Sequence, residues 1–105
     1  MDSMETLRVA ADTRVSSLAS AIAHALGDKA MCVVIAIGAA AVSTAVKGIA
    51  SANGLMSASG YKISTTPYFR QVTMKNAPEE KRTAMAFVVE RNQVAIVGET
   101  AYVCE

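Results

Sequence analysis

The chain has 105 residues and a formal net charge of +1, from ten Lys and Arg against nine Asp and Glu. This length suits one domain, and a hydrophobic fraction of 52% allows a core without disulfides or a structural metal. The charge balance is far from the strongly basic one of a dedicated nucleic-acid binder, and near-zero charge favours association. Residues 1–5 have no apolar segment, and the longest apolar run, residues 31–42, is too short to span a bilayer. We therefore expect a cytoplasmic protein without membrane contact.

The first third of the chain predicts a strand, a helix and a second strand. Residues 6–10 alternate polar and apolar side chains, and Asp12 or Thr13 can each cap the helix that follows. Gly27 is the expected stop of this helix. Its apolar stripe consists of Val15, Leu18, Ile22, Ala25 and Leu26. Residues 29–37 are almost continuously apolar, which predicts a strand buried on both faces and parallel to the first.

Gly38 ends the second strand, and a helix with two packed faces and one face exposed to water follows it, with Gly54 as the expected stop. One face carries an apolar stripe: Ala39, Val42, Val46, Ile49 and Asn53. A second carries only very small side chains: Ala41, Ala45, Gly48 and Ala52. This small-residue stripe allows another backbone to approach closely. It packs either on the other helix of the same domain or on a second subunit, where it would form an oligomer interface.

The rest of the chain predicts extended structure. Residues 61–66 alternate cleanly up to Pro67, and Val72 and Met74 mark a further extended segment before a turn at residues 76–81. Residues 83–90 are apolar on both faces, which predicts a central strand.

Residues 94–103 predict a β-hairpin that turns at Gly98-Glu99. This hairpin either extends the sheet of its own domain or pairs with the sheet edge of another subunit. In the second case Val94, Ile96 and Tyr102 belong to an oligomer interface.

Three segments carry a resemblance to a known family. The pattern A-I-G-A-x-A-V-x-x-A-V-K-x-I-A-x-A-x-G at residues 36–54, Ser59-Gly60, and E-E-K-R-T-A at residues 79–84 resemble the bacterial stage V sporulation protein S family. The similarity runs from about Met4 to Arg91. It implies an Alba-like β-α-β-α-β-β fold, an α/β two-layer domain that is usually dimeric, in a superfamily that binds nucleic acids. The chain then divides into an Alba-like domain at residues 4–91 and a C-terminal β extension at residues 92–105.

Catalytic chemistry finds little support in the sequence. His24 is the single histidine, no nucleophile motif surrounds any Ser or Cys, and there is no G-x-G-x-x-G segment. Cys32 and Cys104 lie far apart and form no C-x-x-C pair, which suits a reducing compartment. We expect no enzymatic activity, no cofactor, no metal and no small-molecule substrate.

The resemblance directs attention to basic residues, and the pattern of a buried strand, a glycine and a helix directs it to one helix start. The superfamily grips nucleic acid partly through the loop between the first strand and first helix, where this chain has Arg14, and partly through its β-hairpin tip. At that tip the chain has Lys75, Lys81 and Arg82, and Lys47 matches the A-V-K of the family segment. The amides of Gly38, Ala39 and Ala40 open a helix after a buried strand, an arrangement that suits anion binding. Asp12, Glu79 and Glu80 oppose this positive charge, and Asn53 stands where the family segment has arginine.

Two hypotheses of function follow. The leading one is a non-enzymatic homo-oligomer that binds DNA or RNA through Arg14, Lys47, Lys75, Lys81 and Arg82. The competing one is a self-assembling structural protein, in the form of a dimer, filament or lattice, without nucleic-acid binding. Superfamily membership favours the first, whereas charge balance, alanine richness and the terminal hairpin favour the second.

Overall fold

A computed structural model describes residues 4–93 of the chain. The elements in order are β1 (Glu5–Val9), α1 (Val15–Lys29), β2 (Met31–Ala36), α2 (Ala39–Ser57), β3 (Tyr61–Met74) and β4 (Ala77–Gln93). The four strands form one sheet in the order β1-β2-β4-β3, in which β1 and β2 are parallel and the other two pairs antiparallel. The predicted two-layer α/β class is confirmed, with two helices and a mixed sheet. β4 lies between β2 and β3, so its predicted central position is also confirmed.

The main core lies between the helices and one face of the sheet, here called the helix-covered face. The largest fully buried side chains are those of Ile22 and Leu26 from α1, Cys32 and Val34 from β2, and Val89 from β4. Because β2 pairs with β4, Cys32 and Val34 stand opposite Val89 and Phe87, and all four point into this core. Burying such side chains is the main term that stabilises the fold.

The small-residue stripe of α2 packs inside the domain. Ala45 and Ala52 are fully buried, Ala41 is 2% exposed, and Gly48 is also buried. A Cβ atom added at Gly48 would lie 2.5 Å from Cδ2 of Leu18, so only glycine allows α1 this close to α2. These four residues therefore pack within the domain, which is one of the two alternatives that the sequence left open. Val46, from the other predicted apolar stripe, is instead 51% exposed.

Both helices run beyond the glycines predicted to end them. α1 continues through Gly27 to Lys29, where Ala30 takes a left-handed conformation with φ 65°. α2 continues through Gly54 to Ser57. Met56 lies in this extra turn and is buried in the core, which offsets the cost of about 1 kcal/mol for a glycine inside a helix.

The β3–β4 hairpin is longer than predicted. β3 runs for 14 residues through Pro67, which is tolerated because β3 is an edge strand. The pairing is regular from Tyr61 to Thr73, with a register shift before Met74, and the turn contains only Lys75 and Asn76. Asn53 at the end of α2 fixes the start of β3, since its Oδ1 accepts a 2.9 Å hydrogen bond from the Ile63 amide.

The second predicted hairpin, with Val94, Ile96 and Tyr102, lies outside the described residues. Both its pairing partner and the division of the chain after residue 91 stay predictions.

Candidate functional site

Three segments meet at one end of the molecule, here called the loop end. β1 and β2 are parallel and end at Val9 and Ala36, and a helix begins soon after each of them. Ala36 pairs with Met85, so residues 77–84 of β4 and their partners in β3 extend beyond the end of β2. The N termini of both helices and the tip of the hairpin therefore lie at the same end.

Neither helix N terminus at the loop end has a side-chain cap. Arg14 and Gly38 occupy the cap positions without a side-chain hydrogen bond, and neither helix has an acidic residue in its first turn. The first hydrogen bond of α2 is donated by the Val42 amide to Gly38 O. The amides of Ala39 and Ala40 come before this bond and have no acceptor within the helix. Gly38 has φ 89°, a conformation that favours glycine. Gly38, Ala39 and Ala40 are all exposed, and such a helix start attracts anions.

Thr13 does not cap α1, contrary to the prediction. Its Oγ1 accepts a 2.8 Å hydrogen bond from the Ala10 amide, and its own amide donates to Ala10 O at 3.1 Å. The hydroxyl thus closes the turn after β1 and is not available to the first turn of α1. Asp12 is exposed in the same turn.

Four of the five predicted basic residues lie at the loop end. Arg14 precedes α1, and Lys75, Lys81 and Arg82 belong to the hairpin tip, all with exposed side chains. Lys47 is also exposed but lies on α2, about 12 Å along the helix from its start at 1.5 Å per residue. The fold therefore separates Lys47 from the other four.

The hairpin divides its cations between the two faces of the sheet. Lys81 pairs with Thr73, and Arg82 with Val72. Val72 packs on the second apolar cluster, formed by Val33, Ile35, Ala84 and Ala86, on the face without helices. This face is called the open face. Because neighbouring residues of a strand point to opposite faces, Arg82 lies on the open face and Lys81 on the other.

Two arginines on the open face were missed by the sequence analysis. Arg8 pairs with Ile35 and Arg70 with Ala84, and both are exposed. The alternation of polar and apolar residues in β1 was sufficient to predict that Arg8 points to the face of the sheet away from Leu7 and Val9. Arg70 was missed because Pro67 was taken as the end of its strand.

Among the described residues we find neither a metal-binding group nor a reactive thiol. Within residues 4–93 no group of three or more His, Cys, Asp or Glu is arranged to hold a metal ion. Burial in the core, with a smaller contribution from the charge of Glu5, raises the pKa of the Cys32 thiol to about 11, so this thiol is not a nucleophile near neutral pH. No helix in the same range is long and apolar enough to cross a membrane.

The fold and the site define a small two-layer α/β domain that gathers cations and helix N termini at one end. The family model of stage V sporulation protein S (SpoVS) matches residues 5–92. The chain therefore belongs to the stage V sporulation protein S family.

Proposed function

We propose that this chain is a non-enzymatic, homo-oligomeric protein of Alba-like fold that binds nucleic acid at the loop end. The observation that carries the proposal is the convergence of two uncapped helix N termini with the basic hairpin tip. Phosphate oxygens are the ligands that free amides, lysines and arginines share. The name of the family supports a role in sporulation, and we expect the protein to act in the cytoplasm.

Electrostatics make this binding local and sensitive to salt. The net charge of +1 gives no strong overall attraction to a polyanion, so affinity depends on the few cations that touch phosphates. Glu79 and Glu80 on the hairpin tip are exposed and oppose it. Lys47, on the side of α2, contributes only to a ligand long enough to extend along the helix.

Fluorescence anisotropy with a labelled duplex and a labelled single strand tests the proposal. Two to four phosphate contacts predict a slope of log affinity against log salt of roughly −2 to −4. Changing Lys81 and Arg82 together to Gln should weaken binding and flatten the slope by about 2. Glu79→Gln with Glu80→Gln should strengthen binding.

Lys62→Gln is the matched control for these variants. Lys62 is an exposed lysine of the same hairpin, but it pairs with Asn92 at the opposite end of the sheet. Its loss should leave affinity and slope unchanged. Absence of binding by the wild-type protein at low salt, or equal loss in the control, would refute the proposal.

A second candidate function is self-assembly without nucleic-acid binding. One observation favours it: β3 is an edge strand of 14 residues, and its Phe69 side chain is 77% exposed. An edge of this length with an exposed aromatic residue suits pairing with another chain. Light scattering together with the binding assay separates the two candidates. If the protein forms an oligomer but binds neither oligonucleotide, only self-assembly is supported.

A further inference from the structure

The hairpin bends over the open face of the sheet. Val72 of β3 packs on the apolar cluster that includes Ile35 and Ala86, although two strands separate β1 from β3. Val72 also lines a small cavity of about 90 Å³ together with Arg8, Ile35 and Ile37. The outer part of the hairpin therefore reaches back towards β1.

This bend creates an open groove between β1 and the hairpin tip. The groove has a volume of about 590 Å³ and is lined by Arg8, Thr73, Met74, Lys75 and Pro78. It brings together Arg8 and Lys75, two cations from distant parts of the chain. None of these described lining residues carries a carboxylate, and the acidic pair Glu79 and Glu80 begins just after Pro78.

The positive charge continues from the groove along the same face. Arg82 pairs with Val72, and Arg70 pairs with Ala84, so the two arginines are diagonal neighbours on the open face. Diagonal pairs of this kind lie roughly 7–8 Å apart. Both side chains are exposed, as is that of Arg8. Like charges gathered on one surface repel each other, and a bound polyanion removes this repulsion.

We propose that the groove between Arg8 and Lys75 binds the sugar-phosphate backbone of a nucleic-acid strand, which continues over Arg70 and Arg82. The inference rests on the proposed function and adds a second contact surface, on the open face, to the helix N termini and Lys81 on the other side of the hairpin. In this arrangement the hairpin tip contacts the nucleic-acid backbone on the open face of the sheet. Met74 and Pro78 supply apolar contacts for the sugars.

Single and double variants test the groove. Arg8→Gln and Lys75→Gln should each make the slope of log affinity against log salt less steep by about 1. When the salt concentration rises fourfold, the affinity of each variant should therefore fall by a factor about 3.5 times smaller than that of the wild type. If both cations contact the same phosphate, the double variant should lose less affinity than the two single losses multiplied together. Circular dichroism checks that all variants fold, which their exposed positions favour.

The controls separate this inference from the function on which it rests. Lys62→Gln, on the open face at the far end, should bind like the wild type. Inorganic phosphate and a mononucleotide serve as competitors, each compared with chloride added to the same ionic strength. If a continuous backbone is the ligand, both should displace the oligonucleotide only weakly.

Three results would overturn the proposal. If Lys81→Gln weakens binding while Arg8→Gln does not, the groove is not a contact surface and the proposed function stands. If the wild-type protein binds neither duplex nor single strand, both are wrong. Strong displacement by the mononucleotide would replace the backbone with a free nucleotide as the ligand.

Discussion

The two faces of the sheet are covered in different ways. On the helix-covered face, α1 and α2 bury a large cluster that includes Ile22, Leu26 and Val34. On the open face, the smaller cluster of Val33, Ile35, Ala84 and Ala86 is covered by the bent hairpin and by the side chains around it. The strands β2 and β4 contribute side chains to both clusters, which is why each of these two strands is apolar on both of its faces.

This difference separates stability from function. The helix-covered face needs two helices held closely together, and the small residues of α2 make that contact possible. The open face is covered by a hairpin that carries Arg70 and Arg82 on this same face and Lys75 at its turn. The element that shields the second cluster therefore also presents the cations. Substitutions in the cluster on the helix-covered face should therefore lower the free energy of unfolding more than substitutions in the cluster on the open face.

The largest expected effect compares two neighbouring valines of β2. Val34 is fully buried on the helix-covered face, and Val33 is 4% exposed on the open face. Val34→Ala should lower the free energy of unfolding by about 2–3 kcal/mol, and Val33→Ala by about 1–2 kcal/mol, because a hairpin collapses onto a cavity more easily than two packed helices. Urea denaturation of both variants measures the difference. Equal losses would mean that the hairpin packs as rigidly as the helices.

A smaller effect compares two glycines of α2. Gly48→Ala should destabilise by about 1–2 kcal/mol, since the new Cβ would lie 2.5 Å from Leu18 Cδ2 and Leu18 must move. At Gly54 nothing lies within 4 Å, so Gly54→Ala should stabilise by roughly 0.5–1 kcal/mol through helix propensity. Thermal melting compares the two. A gain in both variants would show that the helices can separate at no cost.

The smallest effect concerns pH. Since the pKa of Cys32 is about 11 in the folded protein and near 9 when unfolded, the unfolded chain binds fewer protons above pH 9. The contribution is fully present below pH 9 and is lost as pH rises through 11, with a loss on the order of 1 kcal/mol at pH 9.5. Urea denaturation at pH 7 and pH 9.5 should show a larger drop for the wild type than for Cys32→Ala. Identical drops would contradict the burial of this thiol.

The sequence predicted most of the elements because their patterns are local. The apolar run of β2, the stripe of α1 and the two-sided apolar pattern of β4 each identify an element without tertiary information. The ends of elements depend on distant contacts. α2 continues beyond Gly54 because Met56 reaches the core, and β3 continues beyond Pro67 because it lies at a sheet edge.

The candidate site was only partly predictable for the same reason. Arg14 and the hairpin cations were found through the resemblance, and Gly38 through the change of period at the end of β2. That these residues share one end of the molecule follows from the sheet order, which residue patterns alone do not give. The groove at Arg8 depends on the bend of the hairpin, a property of the sheet as a whole.

The central claim, that nucleic acid binds at the loop end, is tested most directly by amide NMR. A ¹⁵N-labelled sample titrated with an oligonucleotide at low salt should show its largest shifts at Ala39, Ala40 and residues 73–82. Residues 29–31, at the opposite end of the sheet, should not shift. Shifts concentrated at residues 29–31, or none at saturating oligonucleotide, would contradict the account.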